Sequence, residues 1–284
     1  MKRIVIVTLL FALSAALVAD TRTRAVAGET KLKWFGHAAF SITTPNGKVL
    51  LIDPWLKNPA NPETKDGKDP LSALAGVDFI LLTHGHRDHV GDAVEIAKKT
   101  GALLIANPEL SGNLVKLADL PAKSASSDYI MQSGNEIQIA GGEVTVAMTP
   151  AVHSSSVFNA KAGPNEPERA YGGSPAGFVI AIKNGPTIYH SGDTAYFKDM
   201  EIIGETYAID LALINISQMG PKLSARAAQS IRTRLAIPMH FGTAPGMLQS
   251  ADEFFTEAGK LKINVYPMKP GETISFRGKQ MLKK

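Results

Sequence analysis

The chain of 284 residues contains no cysteine, and this absence excludes several kinds of structure and chemistry at once. Without thiols the chain can form no disulfide, offer no thiolate to a metal and use no cysteine nucleophile. A lipid-modified cysteine is excluded as a membrane anchor for the same reason. Any metal site must therefore be built from imidazole and carboxylate groups, and any nucleophile must come from elsewhere.

Other signals are missing as well. The chain has no Gly-rich loop of the nucleotide-binding kind, no dinucleotide fingerprint and no short-period repeat. Its net charge of +4 is concentrated in residues 1–27, which carry a surplus of three positive charges, so the remainder is close to +1. No basic surface for nucleic acid is therefore expected. The expected partner is a small-molecule substrate, and the oligomeric state stays open.

Residues 1–27 have the pattern of an export signal peptide. Lys2 and Arg3 form a basic start, residues 4–19 form an apolar run, and residues 25–27 give a small-x-small cleavage pattern before Gly28. The run is somewhat long for a signal core and slightly short for a spanning helix. Retention as an N-terminal anchor is the alternative, with membrane contact only through the leader. An exported chain without disulfides fits the bacterial periplasm.

The most informative stretch is residues 84–89, which reads His-Gly-His-Arg-Asp-His and follows the apolar run 77–83. Three of the chain's seven histidines lie here. Imidazole and carboxylate are ligands that a borderline divalent metal such as zinc prefers. A buried strand ending at this point would aim His84 and His86 at one metal and Asp88 and His89 at its neighbour. The alternative is a solvated polar loop that happens to be rich in histidine.

Three further groups that can bind metal stand at the ends of strand-like runs: His153, Asp193 and His240. Strand ends on one rim of a layered α/β fold are where sites are commonly assembled. With the first cluster they supply ligands for two metal ions, in two sets with a carboxylate between them. The sets are His84, His86 and His153 for one ion, and Asp88, His89 and His240 for the other, with Asp193 between.

The pattern His-x-His-x-Asp-His, a lone His, Gly-Asp and a last His, from His84 to His240, resembles the five-step motif of the metallo-β-lactamase superfamily. Within it the chain resembles the small metal-dependent hydrolases that include ascorbate-6-phosphate lactonase-like proteins. The stretches 34–37, 52–54 and 237–243 support this, so that the likeness covers roughly residues 30–270. The resemblance implies an α/β fold, a four-layer αββα sandwich with the metals on one edge, and a hydrolase domain over residues 28–284.

One stretch departs from these relatives. They often carry a Pro-Ile-Gly-Gly-like sequence after the strand near residue 213, whereas this chain reads Ile-Asn-Ile-Ser-Gln-Met-Gly at 214–220. That loop lies near the site in the family, so substrate choice does not carry over. The β-lactamases with a Cys ligand are excluded, and those without one usually lack a bridging Asp where Asp193 stands. Only 46 residues separate Asp193 from His240, too few for the extra domain of the family's nucleases.

Several residues outside the motif are candidates for supporting roles. Asp53 follows a strand and is expected to orient ligands through hydrogen bonds, with a simple turn cap as the alternative. His37 is expected to line the site, and His190 has a supporting or a structural role. In the segment 154–173, which shows no strand or helix period, Arg169 and Tyr171 are candidates for contact with a substrate anion or hydroxyl. A mobile surface loop is the alternative for that segment.

Periodicity predicts alternating strands and helices in two similar halves. Each half opens with a hairpin at an Asn-Gly turn, at 46–47 and at 184–185. Strands are predicted at 31–34, 39–43, 48–52, 79–82, 102–106, 136–139, 143–148, 177–182, 187–189, 210–216 and 236–238. Helices are predicted at 91–99, 108–118, 224–234 and 250–259.

The predicted function is that of a dinuclear metal-dependent hydrolase, which attacks a small lactone, ester or phosphoester with a metal-bridging hydroxide. Asp193 would hold the two ions roughly 3.5–4 Å apart. Asp88, the candidate catalytic residue, would orient the hydroxide and later shuttle a proton. The cofactors are two divalent metal ions, with zinc expected and manganese or iron as alternatives. A non-catalytic metal-binding envelope protein is the main alternative function, and a β-lactamase is a lesser one.

Overall fold

The computed structural model describes residues 28–72, 74, 76–163 and 167–282. The predicted leader, residues 1–27, lies outside this part of the chain. Within the described part, no helix is both long enough and apolar enough to cross a membrane.

The strands are β1 Thr30–Gly36, β2 Ala39–Thr43, β3 Val49–Ile52, β4 Phe79–Leu81, β5 Leu103–Ile105, β6 Glu136–Ile139, β7 Val144–Pro150, β8 Ser156–Phe158, β9 Arg169–Tyr171, β10 Ala176–Ile182, β11 Thr187–His190, β12 Leu211–Asn215, β13 Ala236–Met239, β14 Thr273–Arg277 and β15 Gln280–Met281. The α-helices are α1 Arg87–Val90, α2 Ala93–Thr100, α3 Pro108–Ala118, α4 Met200–Thr206, α5 Ile216–Met219, α6 Pro221–Ser230 and α7 Asp252–Lys260, with short 3-10 turns at Pro62–Gly67, Ala122–Ser124, Ser127–Tyr129 and Ala140–Gly142.

The strands form two large sheets and one small hairpin. The first sheet has the order β15-β14-β1-β2-β3-β4-β5, the second has the order β13-β12-β11-β10-β7-β6, and β8 pairs with β9. Apolar side chains from both sheets, such as Trp34 and Phe178, make one buried layer between them. The outer faces pack on helices, with Ile96 of α2 against the first sheet and Phe254 of α7 against the second. The predicted four-layer αββα sandwich is confirmed.

Each sheet contains the same four-strand unit. In the first, β2 and β3 form an antiparallel hairpin, and β4 and β5 follow in parallel. In the second, β10 and β11 form the hairpin, and β12 and β13 follow in parallel. The turns lie at the two predicted Asn-Gly pairs, where Gly47 and Asn184 have positive φ. The two predicted halves are therefore present, and the carboxyl ends of their parallel strands share one edge of the sandwich.

Some elements differ from the sequence prediction. The predicted helix 91–99 is present as α2, which begins two residues later and ends one residue later than predicted. Gly91, with φ 45° and packed against the backbone of Trp55, separates it from the short helix α1, which was not predicted. Asp88 and His89 therefore lie on the short helix α1 rather than in a loop. The segment 154–173 carries the hairpin β8–β9, whose strands of three residues are too short to show a period. Helix α4 and the strands β14 and β15 at one side of the first sheet were not predicted, whereas α3 has the predicted bounds.

Candidate metal centre

The predicted ligands converge at the edge where the parallel strands end. His84 follows β4, His153 follows β7, Asp193 follows β11 and His240 directly follows β13. Helix α1 adds Asp88 and His89 beside His84. The potential ligand atoms form three groups, in each of which every atom lies within 4.8 Å of the others: His84, His86 and His153; His84, His89 and Asp193; and His37, Asp88, His89 and His240.

Asp193 lies between the two predicted ligand sets. Its Oδ1 is 3.1 Å from Nε2 of His89, and its Oδ2 is 3.3 Å from Nε2 of His240. Oδ2 is also 3.7 Å from Nε2 of His153, which belongs to the other set. The carboxylate is almost fully buried, with the side chain 6 % exposed. Its two oxygens therefore face imidazoles of both sets.

A buried carboxylate fixes the orientation of two histidines. Asp53 accepts three hydrogen bonds: from the Thr83 amide at 2.8 Å, from the Thr83 hydroxyl at 2.7 Å and from Nδ1 of His89 at 2.7 Å. Because the Thr83 hydroxyl has donated its only proton, it accepts from Nδ1 of His84 at 3.0 Å. Both imidazoles therefore carry a proton on Nδ1, which leaves Nε2 of each directed into the site. Asp53 thus fixes the rings of two candidate ligands, directly for His89 and through Thr83 for His84, and its role in orienting them on a metal stays a prediction.

Several imidazole nitrogens of the site lie close to one another. Nε2 of His84 is 2.9 Å from Nδ1 of His86, and Nε2 of His89 is 3.3 Å from Nε2 of His240. A cation bound between such nitrogens would accept their lone pairs in place of a proton. Imidazole and carboxylate donors without a thiolate suit a borderline divalent metal. The residues present therefore fit a metal ion.

The pKa values of the histidines in the cluster shift in two directions. Burial lowers the pKa of His84 well below its usual value, and the neighbouring His89 adds to this effect. For His89 burial also acts to lower the pKa, but the charges of Asp193 and Asp53 outweigh it and raise the pKa well above its usual value. The pKa of His240 is likewise raised, because its bonds to Asp193 and Asp88 outweigh burial. Two imidazoles of the site therefore hold protons that a metal ion must displace.

His37 lies directly against the cluster. Its Nε2 is 3.0 Å from Oδ2 of Asp88, its Nδ1 is 2.7 Å from the hydroxyl of Thr243, and its ring lies 3.8 Å from that of His240. Burial lowers the pKa of His37 to about 4, so that the ring is neutral at neutral pH. Its position fits the prediction that it lines the site. It also brings Nε2 into the same atom group as Asp88, His89 and His240.

Comparison with known proteins agrees with this geometry. The family described as Beta-lactamase superfamily domain matches residues 48–241. A UPF0173 metal-dependent hydrolase from Thermodesulfovibrio yellowstonii is 46 % identical over 255 residues, which cover 88 % of this chain and 93 % of the relative. The chain belongs to the UPF0173 metal-dependent hydrolases of the metallo-β-lactamase superfamily.

Solved structures support the same fold for this UPF0173 hydrolase. Igni18, a metallo hydrolase from Ignicoccus hospitalis, superimposes with a TM-score of 0.70 at 30 % identity, over 87 % of this chain and 98 % of the other. An isothiocyanate hydrolase from Delia radicum gut bacteria superimposes with a TM-score of 0.61 at 19 % identity, over 87 % of this chain and 99 % of the other. At this identity the likeness shows the fold alone. The predicted superfamily, its fold and its metal-dependent hydrolase class are therefore confirmed.

In this hydrolase His190 forms hydrogen bonds with the backbone, including that of the turn before Asp193. Its Nε2 donates to the Ala38 carbonyl at 3.0 Å, and its Nδ1 accepts the amide of Gly192 at 3.1 Å. Gly192 has φ 56°, and a Cβ there would lie 2.5 Å from the Ala176 carbonyl oxygen. Only glycine fits so close a turn. Of the two alternatives for His190, the structure favours the structural one, which places Asp193.

The stretch 214–220, which departs from the relatives, supplies two supporting residues that the sequence analysis missed. Nδ2 of Asn215 donates to Oδ1 of Asp193 at 2.6 Å, and its Oδ1 caps helix α5 by accepting the amides of residues 217 and 218. The hydroxyl of Ser217 donates to the His240 carbonyl. The available signal was the position of this stretch at the end of a strand beside two predicted ligands. Thr83 and Thr243 were missed in the same way, each next to a quoted motif residue.

The hairpin β8–β9 of the UPF0173 hydrolase holds the two predicted substrate contacts. Arg169 donates to the Ser156 hydroxyl at 3.3 Å, and the Tyr171 side chain is 64 % exposed. At its base the hairpin is bonded to the turn between His84 and His86, because the Ser155 hydroxyl accepts the Gly85 amide at 3.1 Å. The described part of the segment therefore contains two paired strands, and a substrate contact by Arg169 or Tyr171 stays a prediction.

Proposed function

We propose that this metal-dependent hydrolase holds two divalent ions and cleaves a small lactone, ester or phosphoester. The observation that supports this most directly is the carboxylate of Asp193, one oxygen of which faces His89 while the other faces His240 and His153. His84, His86 and His153 would hold one ion, and Asp88, His89 and His240 the other. Two ions bound here would lower the pKa of a water shared between them and polarise the substrate's carbonyl or phosphoryl oxygen.

Asp88 is the residue we propose to handle the proton. Its side chain is 38 % exposed, whereas His89 and Asp193 beside it are buried. Its Oδ2 is held by Nε2 of His37 at 3.0 Å, and the neighbouring histidines keep its pKa below the usual value although burial acts against them. An ionised, fixed and partly exposed carboxylate can orient the attacking water and pass its proton to the leaving group.

Zinc is the metal we propose first. Imidazoles form most of the donor set, and they suit zinc at least as well as manganese or iron. The remaining donors are carboxylates, which all three metals accept. Metal identity therefore depends on measurement and on supply, and elemental analysis distinguishes the three directly.

The test combines elemental analysis of the purified protein with hydrolysis of a small panel of p-nitrophenyl phosphodiesters, esters, thioesters, lactones and a β-lactam. We expect about two ions per chain, as in other sites where two metals share a carboxylate, with turnover of one class that is lost on chelation and regained on metal return. Two ions without turnover of any member would favour the non-catalytic metal-binding alternative. No metal under metal-replete conditions would overturn the proposal.

We also propose that the protein is exported, with the periplasm as its compartment. The support is the basic start, apolar run and cleavage pattern of residues 1–27. N-terminal sequencing of the protein from its native cells should begin near Gly28. A start at Met1 in the membrane fraction would favour the retained anchor, and a start at Met1 in the soluble fraction would contradict export.

A further inference from the structure

An open cavity of ≈ 450 Å³ adjoins the exposed carboxylate of Asp88. It is lined by Trp55, Lys57, Arg87, Asp88, Gly91 and Asp92. We propose that this cavity binds the substrate and that Arg87 binds an anionic group that the substrate carries beside its scissile bond. This inference rests on the proposed hydrolytic function and narrows it to substrates that bear a carboxylate or a phosphate-like group.

Arg87 is placed to recognise an anion. It stands between His86 and Asp88 in the chain, so its backbone belongs to the same helix α1 that carries two candidate ligands. Its guanidinium lies 4.1 Å from the centroid of the Phe158 ring. Stacking on an aromatic ring fixes the guanidinium plane and leaves its edge free to donate two parallel hydrogen bonds.

No carboxylate of the described residues lies within salt-bridge distance of Arg87. The side-chain contact that the described residues make with it is the ring of Phe158. Lys57, the other cation of the cavity, differs: its Nζ is 2.7 Å from Glu95 and 3.9 Å from Asp92. Arg87 is therefore the cation that remains available to a ligand.

Trp55 forms a rigid apolar wall in the same cavity. Its ring meets the His37 ring edge-on, with the two centroids 5.1 Å apart. Its backbone packs so tightly on Gly91 that a Cβ at Gly91 would lie 2.5 Å from the Trp55 Cα. Such a wall suits an apolar spacer between the scissile group and the anion. The substrate class that follows is a small ester, lactone or phosphoester with a second, negatively charged group.

The first test measures binding by calorimetry, with glutarate and butyrate titrated into the metal-loaded protein. Each ligand offers one carboxylate to the metal centre, so the preference for glutarate reports the second carboxylate alone. We expect glutarate to bind about tenfold more tightly, as for one exposed charge-assisted contact, and Arg87→Met to abolish that preference. Arg87→Lys should keep part of it, and Arg226→Met, at an exposed arginine of α6, should keep all of it.

The second test compares hydrolysis of mono-p-nitrophenyl glutarate with that of p-nitrophenyl valerate, its neutral analogue of equal chain length. Arg87→Met should raise KM about tenfold for the charged ester and leave kcat, metal content and the neutral ester nearly unchanged. If the wild-type protein cleaved neither ester yet preferred glutarate in calorimetry, the anion site would stand and ester hydrolysis would fail. Equal binding of glutarate and butyrate by the wild type would overturn the inference.

Two further outcomes would also overturn it. Loss of the preference in Arg169→Met but not in Arg87→Met would assign the anion to the β8–β9 hairpin. A fall in melting temperature with equal losses on both esters in Arg87→Met would show that the contact with Phe158 only holds the hairpin in place.

Discussion

The two halves of the sandwich build the site from the same four-strand unit but orient their ligands differently. The first half concentrates four candidate ligands in six residues after β4, and one buried carboxylate, Asp53, orients two of them. The second half contributes single ligands after separate strands. Neutral groups hold these: Asn215 bonds to Asp193, and Ser217 bonds to the His240 backbone.

This difference predicts unequal sensitivity. In the first half the loss of one supporting carboxylate disturbs His84 and His89 together and leaves their donors unpaired in a buried place. In the second half the loss of one supporting amide removes a single hydrogen bond from a ligand that keeps its other contacts. The shared element is Asp193, which joins the two halves, and its loss should exceed both effects.

The largest effect is expected from Asp193→Ala. Removing the carboxylate leaves the two ligand sets without a common group, so we expect bound metal to fall from two ions to at most one and hydrolysis to drop at least about a hundredfold. Asp193→Asn is the matched control, because it keeps the size of the side chain but lacks the second anionic oxygen. Full metal and activity in Asp193→Asn would show that bridging is not needed.

A smaller but broad loss is expected from Asp53→Ala. The substitution leaves the Thr83 amide and the His89 ring without their buried acceptor. Metal affinity should therefore fall about 10- to 100-fold, and the free energy of unfolding by about 3 kcal/mol. The control is Asp210→Ala, since Asp210 is also buried and paired, with Arg234 and Lys279, but lies at the other end of β12 from Asn215. Both variants should melt earlier, and only Asp53→Ala should lose metal. Equal metal contents would contradict the orienting role.

Metal binding should release a proton from one histidine of each half, His89 and His240. The pKa values of His89 and His240 are raised in the metal-free protein, so both are protonated below those raised values and must lose a proton to bind metal. Metal affinity should therefore fall as the pH drops through these pKa values, with about two protons released per chain on loading. Calorimetry in buffers of different ionisation enthalpy measures this number, and zero release near pH 6.5 would contradict it.

The smallest effect is expected from Asn215→Ser. Serine keeps an oxygen to cap α5 but loses the amide that donates to Asp193 at 2.6 Å. We expect an almost unchanged melting temperature and a severalfold loss of metal affinity, about 1 kcal/mol, as for one net hydrogen bond. A loss as large as that of Asp53→Ala would mean that the two halves are equally sensitive.

Much of the fold, and the residues that converge as candidate ligands, could be predicted from the sequence because both depend on local patterns. The ligands His84 to His240 occur in a fixed order after apolar runs, and the Asn-Gly turns mark both hairpins. The supporting residues could not be predicted in this way. Thr83 and Asn215 are common polar residues whose roles depend on which strand ends meet in space. Arg87 lies inside the motif, but its role could not be predicted, because it depends on the contact with Phe158, some 70 residues later in the chain.

We propose that two metal ions share Asp193, and that each ion is held by a ligand set that draws on both halves. Anomalous diffraction from crystals of the metal-loaded protein, recorded at the absorption edge of the bound metal, tests it directly. We expect two peaks about 3.5–4 Å apart, on either side of the Asp193 carboxylate. A single peak in a fully loaded protein, or two peaks of which neither contacts Asp193, would contradict it.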